Sequence, residues 1–563
     1  MKNKKIAIIG YASRLPQTSD ATFWEDLLAG RNLVTQVAGD RWAQYGFEHP
    51  SRAHPGTSVT FAAGSLGNVA GFDAGFFRIS PREAAAMDPQ QRLLLEMSWE
   101  AFAHAGVVPN RLRGSRCGVF IGLASTDYGY RLADDLAAIG PNTATGCTAS
   151  IAANRLSYFY DLRGPSFVVD TACSSALVAF HQACQSILRG ESDLALTGAI
   201  NLHLHPFGFL IFSKASMLSA GGRCRPFDAA ADGYARSEGG GIFILKDYDR
   251  ARRDGDRILA VVAHTSINSD GHKSGLTVPS SLAQARLLKD AYTAAGIDPE
   301  IIDYIEAHGT GTTVGDPIEV EAIGRALGMA RQRGNPLPIG SVKSNLGHLE
   351  TASGIPGLLK AIHCIRERTV PATIGIRALN PRLPLGDFGL EVVQENRPLN
   401  PDGRLVIGVN SFGFGGANAH VILESVEPRR KRQTRWPQLG RHRRALPLML
   451  TAATATALRQ VADDFADVLS GEASNDYARL YQANFRREHL RERMLLKAGS
   501  SNELQAALRA FAAGSEQPEI LSGSAMESPR GPVFVYSGNG CQWDGLGHAL
   551  LDDPVFAAAL TEV

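Results

Sequence analysis

The chain has 563 residues, 44% of them hydrophobic, which is enough for several cores and about three or four domain-sized units. Its 57 basic and 56 acidic side chains nearly cancel, excluding a global field that would draw it to nucleic acid, an anionic membrane or an acidic ligand. Any partner recognised by charge must be recognised locally.

The first element is a strand, "KIAIIG" (5–10), whose apolar run is about half the length of a secretory core and soon meets Arg14. No later stretch reaches the ~18 to 20 uncharged apolar residues of a membrane span, so a cytoplasmic protein is expected. "QQRLLLEMSWEAFAH" (90–104) reads as a helix with Leu94, Met97, Ala101 and His104 on one face and Gly106 as its stop. Strands follow at "GVFIGL" (118–123) and "SFVVD" (166–170). The helix after them sets Leu177, His181, Cys184 and Leu188 on one side and ends at Gly190, with His181 and Cys184 as packing residues. "DLALTGAI" (193–200) and "GIFILKD" (241–247) are further strands, and the alternation predicts a layered α/β architecture. A second α/β stretch covers 257–424. There "DYIEAHGTGTTVGDP", "LPIGSVKSNLGHLE" and "RLVIGVNSFGFGGANAHVILE" each break from an apolar run into Gly, Ser, Thr and His, as strands do where open α/β sheets place their sites. No internal repeat is visible by inspection.

After Glu427 the composition changes. "PRRKRQTRWPQLGRHRR" (428–444) carries eight basic residues and no acid and reads as a solvated linker, having no aromatic platform around it for nucleic acid. Amphipathic helices at 458–469 and 502–514 form a small unit, a Gly, Ser and Pro-rich stretch covers 514–532, and a new strand starts at 533.

Seven cysteines, an odd number without a C-x-x-C pair, read as thiols rather than a disulfide framework or a zinc site. Cys173, between "SFVVDTA" and "SSALVAF", belongs in a tight strand-to-helix turn, where backbone N–H groups and the helix dipole should lower a thiol pKa that is ordinarily about 8.5. The two serines after it are placed to cap the helix. Cys117, Cys147, Cys184, Cys224 and Cys364 read as buried structural thiols. His308 and His348 lie in the loops most like strand ends, each by itself an ordinary polar loop residue. The glycines of "HGTGTTVG" lack dinucleotide spacing, and Cys173, His308 and His348 match no common zinc pattern, so no metal is expected. In "SFGFGGANAH" (411–420), Gly413, Gly415 and Gly416 permit close approach and positive φ, and N–H groups freed there suit an oxyanion hole.

Six motifs occur in order: "FFRISPREAAAMDPQQRLLLE" (76–96), "VDTACSSAL" (169–177), "GRCRPFDAAADGYARSEG" (222–239), "EAHGTGTTVGDPIE" (306–319), "KSNLGHLE" (343–350) and "NSFGFGGANAHVILE" (410–424). With them, residues 3–424 resemble the β-ketoacyl synthase (ketosynthase) domain of type I polyketide synthases, relatives of the condensing enzymes of fatty-acid synthesis. The resemblance implies a thiolase fold over 1–424, two similar α/β halves in a layered α-β-α-β-α arrangement. Residues 425–530 resemble the small α/β linker between ketosynthase and acyltransferase. "VFVYSGNGCQWDGLG" resembles an acyltransferase opening, so 531–563 are expected to be a truncated start of that domain.

The resemblance also implies roles. Cys173 is the nucleophile, and His308 and His348 are the catalytic histidines. The backbone N–H groups of Cys173 and Phe414 form the oxyanion hole, with Phe414 as a gate. Lys343 organises the histidines' charges, paired with Glu238, while Thr310 and Thr312 hold the phosphopantetheine arm of an acyl carrier protein. That arm travels on the carrier, so no cofactor is expected on this chain, and a homodimer is implied. The implied reaction is acyl transfer to Cys173 followed by decarboxylative Claisen condensation with a malonyl-type extender. The alternative is a starter or loading ketosynthase that transfers or gates chains without elongation; Cys173 argues against a non-catalytic chain-length factor. Departures from the pattern are Ala176 for a serine of "ACSSSL", Arg78 for the glycine of "FFGIS", and Asn539 and Cys541 for the Gln and Ser of "GQGSQ". No G-H-S-x-G motif follows, so no acyltransferase activity is expected. "GHLETASG" and a start close to the first strand lean towards an iterative or line-opening parent, or a trimmed fragment.

Overall fold

The computed structural model describes residues 4–426, 448–469, 483–496, 501–515, 517–526 and parts of 540–562. The chain divides into two compact units, Met1–Glu427 and Pro428–Val563. The basic stretch at 428–444 and the first residues of the strand expected at 533 lie outside the described residues.

The first unit is built twice over. Its first half holds β1 (Ile6–Arg14), β2 (Cys117–Gly122), β3 (Ser166–Val169), β4 (Leu194–Asn201) and β5 (Gly239–Asp247). Its second holds β6 (Ala260–Ser269), β7 (Tyr304–Glu306), β8 (Leu337–Gly340), β9 (Leu390–Val392), β10 (Val406–Phe412) and β11 (Ala417–Glu424). The first half runs β1-β5-β4-β2-β3 across the sheet, with β5 antiparallel to both neighbours and β4, β2 and β3 parallel. The second repeats this as β6-β11-β10-β7-β8 with the same senses and adds β9 at its edge. Antiparallel pairing of β1 with β6, Ile6 opposite Val262, joins the halves into one eleven-stranded sheet. The duplication expected from the resemblance is a repeat of backbone path, which is why inspection of the sequence did not show it.

The helices are α1 (Pro89–Ala105), α2 (Ala149–Tyr160), α3 (Ser175–Leu188), α4 (Phe207–Lys214), α5 (Ser281–Ala295), α6 (Gly315–Ala326) and α7 (Gly354–Glu367). α1 starts where it does because Asp88 accepts the N–H of Gln90 and Pro89 takes the first helical position; it stops at Gly106, in the left-handed region at φ 64. Leu177 and Phe180 of α3 and Leu358 and Ile362 of α7 share one core with Ile8 and Phe243 of the first half and Val409 and Val421 of the second. Leu94 and Met97 of α1 and Leu156 of α2 pack on Ile9, Val119 and Ile244, and Leu288 of α5 and Val320 of α6 pack on Ile305 and Ile339. The layers are therefore α-β-α-β-α. β1 shows why its sequence is a continuous apolar run rather than an alternation: Ile6 and Ile8 face the central layer while Ala7 and Ile9 face the outer one.

In the second unit β12 (Leu448–Ala452), β13 (Glu492–Leu496) and β14 (Ile520–Ser524) form an antiparallel sheet in that order, covered by α8 (Ala455–Val468) and α9 (Ser501–Ala512) through a core that includes Leu450, Leu458, Met494 and Leu508. β14 lies within the Gly, Ser and Pro-rich stretch 514–532: an edge strand reading "ILSGS" is held by backbone pairing to β13 and by Ile520 against the core, and carries little apolar signal. Among the described residues no helix is long and apolar enough to cross a membrane.

Arg78 stands at φ 57 with its side chain exposed, which explains why the resembled pattern has glycine there. Arg78→Gly should raise the thermal unfolding midpoint, being worth about 0.5–1 kcal/mol. A lower midpoint in calorimetry would mean that the arginine side chain contributes more than its backbone costs.

Candidate active site

Cys173 lies between β3 and α3, His308 follows β7, His348 lies between β8 and α7, and Phe414 sits in the β10–β11 hairpin. β2 and β7, like β3 and β8, hold equivalent places in the two halves, so the duplication brings together carboxyl ends of parallel strands from both. The Cys173 Sγ and one ring nitrogen from each of His308 and His348 lie within 4.8 Å of one another. Three residues up to 175 positions apart in sequence thus share one site.

The turn at Cys173 is sharp. Ala172 is left-handed at φ 55, and the following serines tie the turn rather than cap the helix: Ser174 Oγ donates to Thr171 O (2.9 Å) and Ser175 Oγ to Ala172 O (2.6 Å), while Thr171 N donates to Ser175 Oγ (2.8 Å). Ser174 is the N-cap residue and makes no side-chain cap. Two hydroxyls of the second half, Ser353 Oγ (2.8 Å) and Ser411 Oγ (2.7 Å), donate to the Cys173 carbonyl. Gly413 has no room for a side chain, since a Cβ there would stand 2.5 Å from Thr171 O. That close approach lets the backbone N–H of Phe414 face the Cys173 sulfur beside the N–H of Cys173 itself. The two expected donors therefore meet at the thiol.

The thiol pKa moves against the sequence expectation. Burial pushes Cys173 up to about 12, with the Glu350 carboxylate adding to the rise; the Phe414 N–H, Lys343 and its own N–H oppose it without reversing it. At neutral pH Cys173 is therefore a thiol. Cys117, Cys184, Cys224 and Cys364 are buried as expected, and Cys147 is half-buried.

Both histidines are held neutral. Burial, helped by Lys343, drives His348 down to about 3 and His308 well below its ordinary value. His348 Nδ1 accepts the N–H of Glu350 (2.9 Å) and His308 Nδ1 that of Phe412 (3.4 Å). A neutral imidazole whose Nδ1 accepts carries its proton on Nε2, so each ring presents an N–H donor. Metal-ligating histidines do the opposite, donating their second nitrogen to a carbonyl or carboxylate. The set fits hydrogen-bond donation better than ligation.

Lys343 is buried, its pKa lowered by that burial and supported by Glu306 and Glu319. Its expected pairing with Glu238 is not found. Glu238 is engaged by Arg41 through Nε and Nη2, each at 3.2 Å, and by the N–H groups of Leu66 (2.9 Å) and His203 (3.1 Å). Membership of two motifs of the same set does not report which carboxylate a lysine reaches. The hydroxyls of Thr310 and Thr312 lie 3.3 Å apart on the wall of a cavity of ≈ 540 Å³ that also contains Cys173, both histidines and Phe414. Phe414 is 42% exposed and meets Phe212 edge-on at 5.9 Å.

Several supporting residues lie inside the six motifs without standing out there. Glu319 accepts the N–H groups of His308 (2.7 Å) and Gly309 (2.8 Å) and the amide of Asn410 (3.0 Å). Asp316 accepts Gly311 N (3.1 Å) and so fixes the turn carrying Thr310 and Thr312. Buried carboxylates three residues apart, at the start of α6 and facing a Gly-rich loop, were the available signal.

Residues 3–251 match the family described as β-ketoacyl synthase, N-terminal domain, residues 259–377 its C-terminal domain, and residues 380–494 the ketoacyl-synthetase C-terminal extension. Among curated proteins, one subunit of the phenolphthiocerol/phthiocerol polyketide synthase of Mycobacterium tuberculosis is 41% identical over 570 residues, covering 100% of this chain and 30% of that protein. Another subunit of the same synthase is 41% identical over 572 residues, covering 99% and 36%. The chain thus spans about a third of the length of these relatives. Among solved structures, an oxazolomycin ketosynthase domain from Streptomyces albus superposes with TM-score 0.87 at 35% identity, covering 93% of this chain and 91% of that one. The ketosynthase from module 6 of the bacillaene synthase of Bacillus subtilis gives 0.82 at 32% identity, covering 92% and 87%.

The buried imidazoles make the fold sensitive to acid. His181 and His363 are lowered by burial to about 4 and His348 and His420 to about 3, against 6.5 for the unfolded chain. Between those values the unfolded state binds more protons, so stability present above pH 6.5 is lost as pH falls towards 3. Asp88 and Asp316, raised by burial to about 6 and about 7, act in the opposite sense together with Asp20, Glu96, Asp127, Asp303 and Glu319, which burial also raises, and offset part of that loss; His308, also lowered by burial, and Glu350, held low by Arg236 against its burial, add to it. The urea midpoint should fall steadily from pH 6.5 downwards; a flat profile between pH 6.5 and 4 would show these rings protonated in the folded protein.

Proposed function

Because the chain belongs to the β-ketoacyl synthase family, as a ketosynthase of polyketide-synthase type, we propose that it extends acyl chains by decarboxylative Claisen condensation on Cys173. The observation that carries this reading is the meeting of one thiol with two backbone N–H donors and two neutral imidazole donors in a single cavity. In the first half-reaction the Cys173 sulfur attacks the thioester of an acyl group on the phosphopantetheine arm of an acyl carrier protein. The carbonyl oxygen turns towards the N–H groups of Cys173 and Phe414, the pantetheine sulfur leaves, and the thiol's proton ends on it. In the second, a malonyl-type thioester loses CO₂. The His308 and His348 Nε2–H groups stabilise the enolate oxygen, the enolate carbon attacks the Cys173 thioester, and the cysteine sulfur leaves and takes up a proton. A preorganised donor facing developing oxyanion charge is worth about 3 to 4 kcal/mol, which is why neutral, fixed N–H groups are useful here.

Thr310 and Thr312 are suited to hold the pantetheine arm, Phe414 to gate the cavity, and Lys343 to keep the imidazoles neutral. No cofactor need reside on the chain. Two intact histidines beside Cys173 favour elongation over loading alone. A homodimer is supported by β3, an edge strand whose half-exposed run ends the sheet with Phe167 38% exposed. Such an edge pairs readily with its own copy about a two-fold axis. Residues 425–530 and 531–563 are assigned as the linker to an acyltransferase and the start of that domain, and the compartment as the cytoplasm.

Cys173→Ala should abolish acylation in intact-protein mass spectra with acyl-pantetheine thioesters; persistent acylation would remove Cys173 from its role. His308→Ala and His348→Ala should each lower condensation with malonyl-carrier protein about 100-fold or more while acylation falls less than about tenfold. Equal loss of both steps would contradict the enolate role. Phe167→Asp should convert a dimer to monomer in sedimentation, and an unchanged mass would exclude β3 from the interface.

A further inference from the structure

The cavity wall contains a buried ion pair that neither the sulfur nor the pantetheine arm requires. Arg236 Nε donates to Glu350 Oε1 (2.5 Å) and Nη2 to Glu350 Oε2 (2.7 Å), with Arg236 only 4% exposed. The guanidinium is fixed on its other sides. It lies over the rings of Phe209 (4.5 Å) and Phe212 (5.5 Å), and the backbone of Gly208 comes so close that a Cβ there would stand 2.5 Å from Nη1. Asn201 Nδ2 adds a third donor to the Glu350 carboxylate (3.3 Å). The other end of Glu350 is unusual: its backbone is left-handed at φ 49, a conformation that costs a non-glycine residue energy and persists only where its surroundings impose it. In that conformation the Glu350 N–H meets His348 Nδ1 at 2.9 Å. The residue before Arg236 also holds the loop, His348 N donating to Ala235 O at 2.8 Å.

We propose that Arg236 and Glu350 are a positioning pair for His348: their bidentate clamp imposes the left-handed turn whose N–H occupies Nδ1 and thereby keeps the ring's single proton on Nε2, facing the reacting oxygen. The inference rests on the donor role proposed for His348. Neither side chain touches substrate in this scheme. The clamp acts through one backbone hydrogen bond, and because Arg236 is anchored on α4 it also ties the aromatic wall of the cavity to the orientation of the imidazole.

The test uses the full chain labelled with ¹⁵N-histidine, the His348 resonance being the one absent in His348→Ala. The wild type is expected to show His348 as the pure Nε2–H tautomer. Glu350→Ala, and the double variant Arg236→Met with Glu350→Leu, which leaves no buried charge unpaired, should give a tautomer mixture. Both should decarboxylate a malonyl thioester at least about tenfold more slowly, with acylation of Cys173 within about threefold of wild type. Glu350→Gly takes up φ 49 without strain and should recover most of the loss seen with alanine. An unchanged tautomer with unchanged decarboxylation, an equal fall in both half-reactions, or a glycine variant no better than alanine would overturn the proposal. If His348→Ala itself decarboxylates normally, the donor role falls instead, so the two failures are distinguishable.

Discussion

Two hydroxyls from the second half of the first unit, on Ser353 and Ser411, donate to one carbonyl of the first half, that of Cys173. The rest of the site depends on that contact. The Cys173 carbonyl is turned away into two hydrogen bonds that fix the peptide plane it shares with the Ser174 N–H, directly after a strained turn, while the N–H groups of Cys173 and Phe414 face the sulfur. Neither half contains a site alone. The thiol and its turn come from one copy of the folding motif, both histidines, the glycine hairpin and the two serines from the other. The buried central helices α3 and α7 keep the copies in register.

Around this contact the ionic groups are arranged so that charge surrounds the reacting atoms without residing on them. Lys360 pairs with Glu306 (2.9 Å), Arg41 with Glu238 and Arg236 with Glu350, all buried or nearly so. Such pairs contribute little net stability, because desolvation offsets most of the Coulomb attraction. Their effect here is geometric and electrostatic. Glu306 accepts Val342 N (2.6 Å) and thereby fixes the start of the loop bearing Lys343, whose positive charge helps keep His308 and His348 unprotonated.

What the sequence disclosed follows from what each signal measures. β1, β2, β4 and β5 were legible because both faces are buried and the residues run apolar almost without interruption; α1 and α3 were legible from their apolar spacing and from Gly106 and Gly190. Cys173 was legible from its strand-to-helix turn and His308 and His348 from their strand-end loops, whereas their roles, and Phe414, Thr310 and Thr312 as site residues, were legible only through resemblance; the fold brings all six to one cavity. The duplication was hidden because it survives in strand order and sense, not in side chains. β14 was hidden because an edge strand of mixed small residues has no periodicity. The Lys343 partner was misassigned because pairing across a core is set by packing, and the direction of the Cys173 shift was misjudged because local dipoles are readable from a turn whereas burial is not. Arg78 was noticed as a departure, but only the backbone angle gave it a physical meaning.

The upward shift of the thiol and the downward shift of the imidazoles have one leading cause, burial in the wall of the cavity, and together they suit the chemistry better than a preformed thiolate–imidazolium pair. An imidazolium beside a thiolate would already have spent its field on a neighbouring charge. Here sulfur and both rings are neutral while Lys343 and the N–H groups of Cys173, Phe414, His308 and His348 remain oriented. Negative charge on a substrate oxygen is then the first anion these donors meet. Interactions that strengthen only as that charge develops lower the barrier, whereas those already satisfied in the resting site do not.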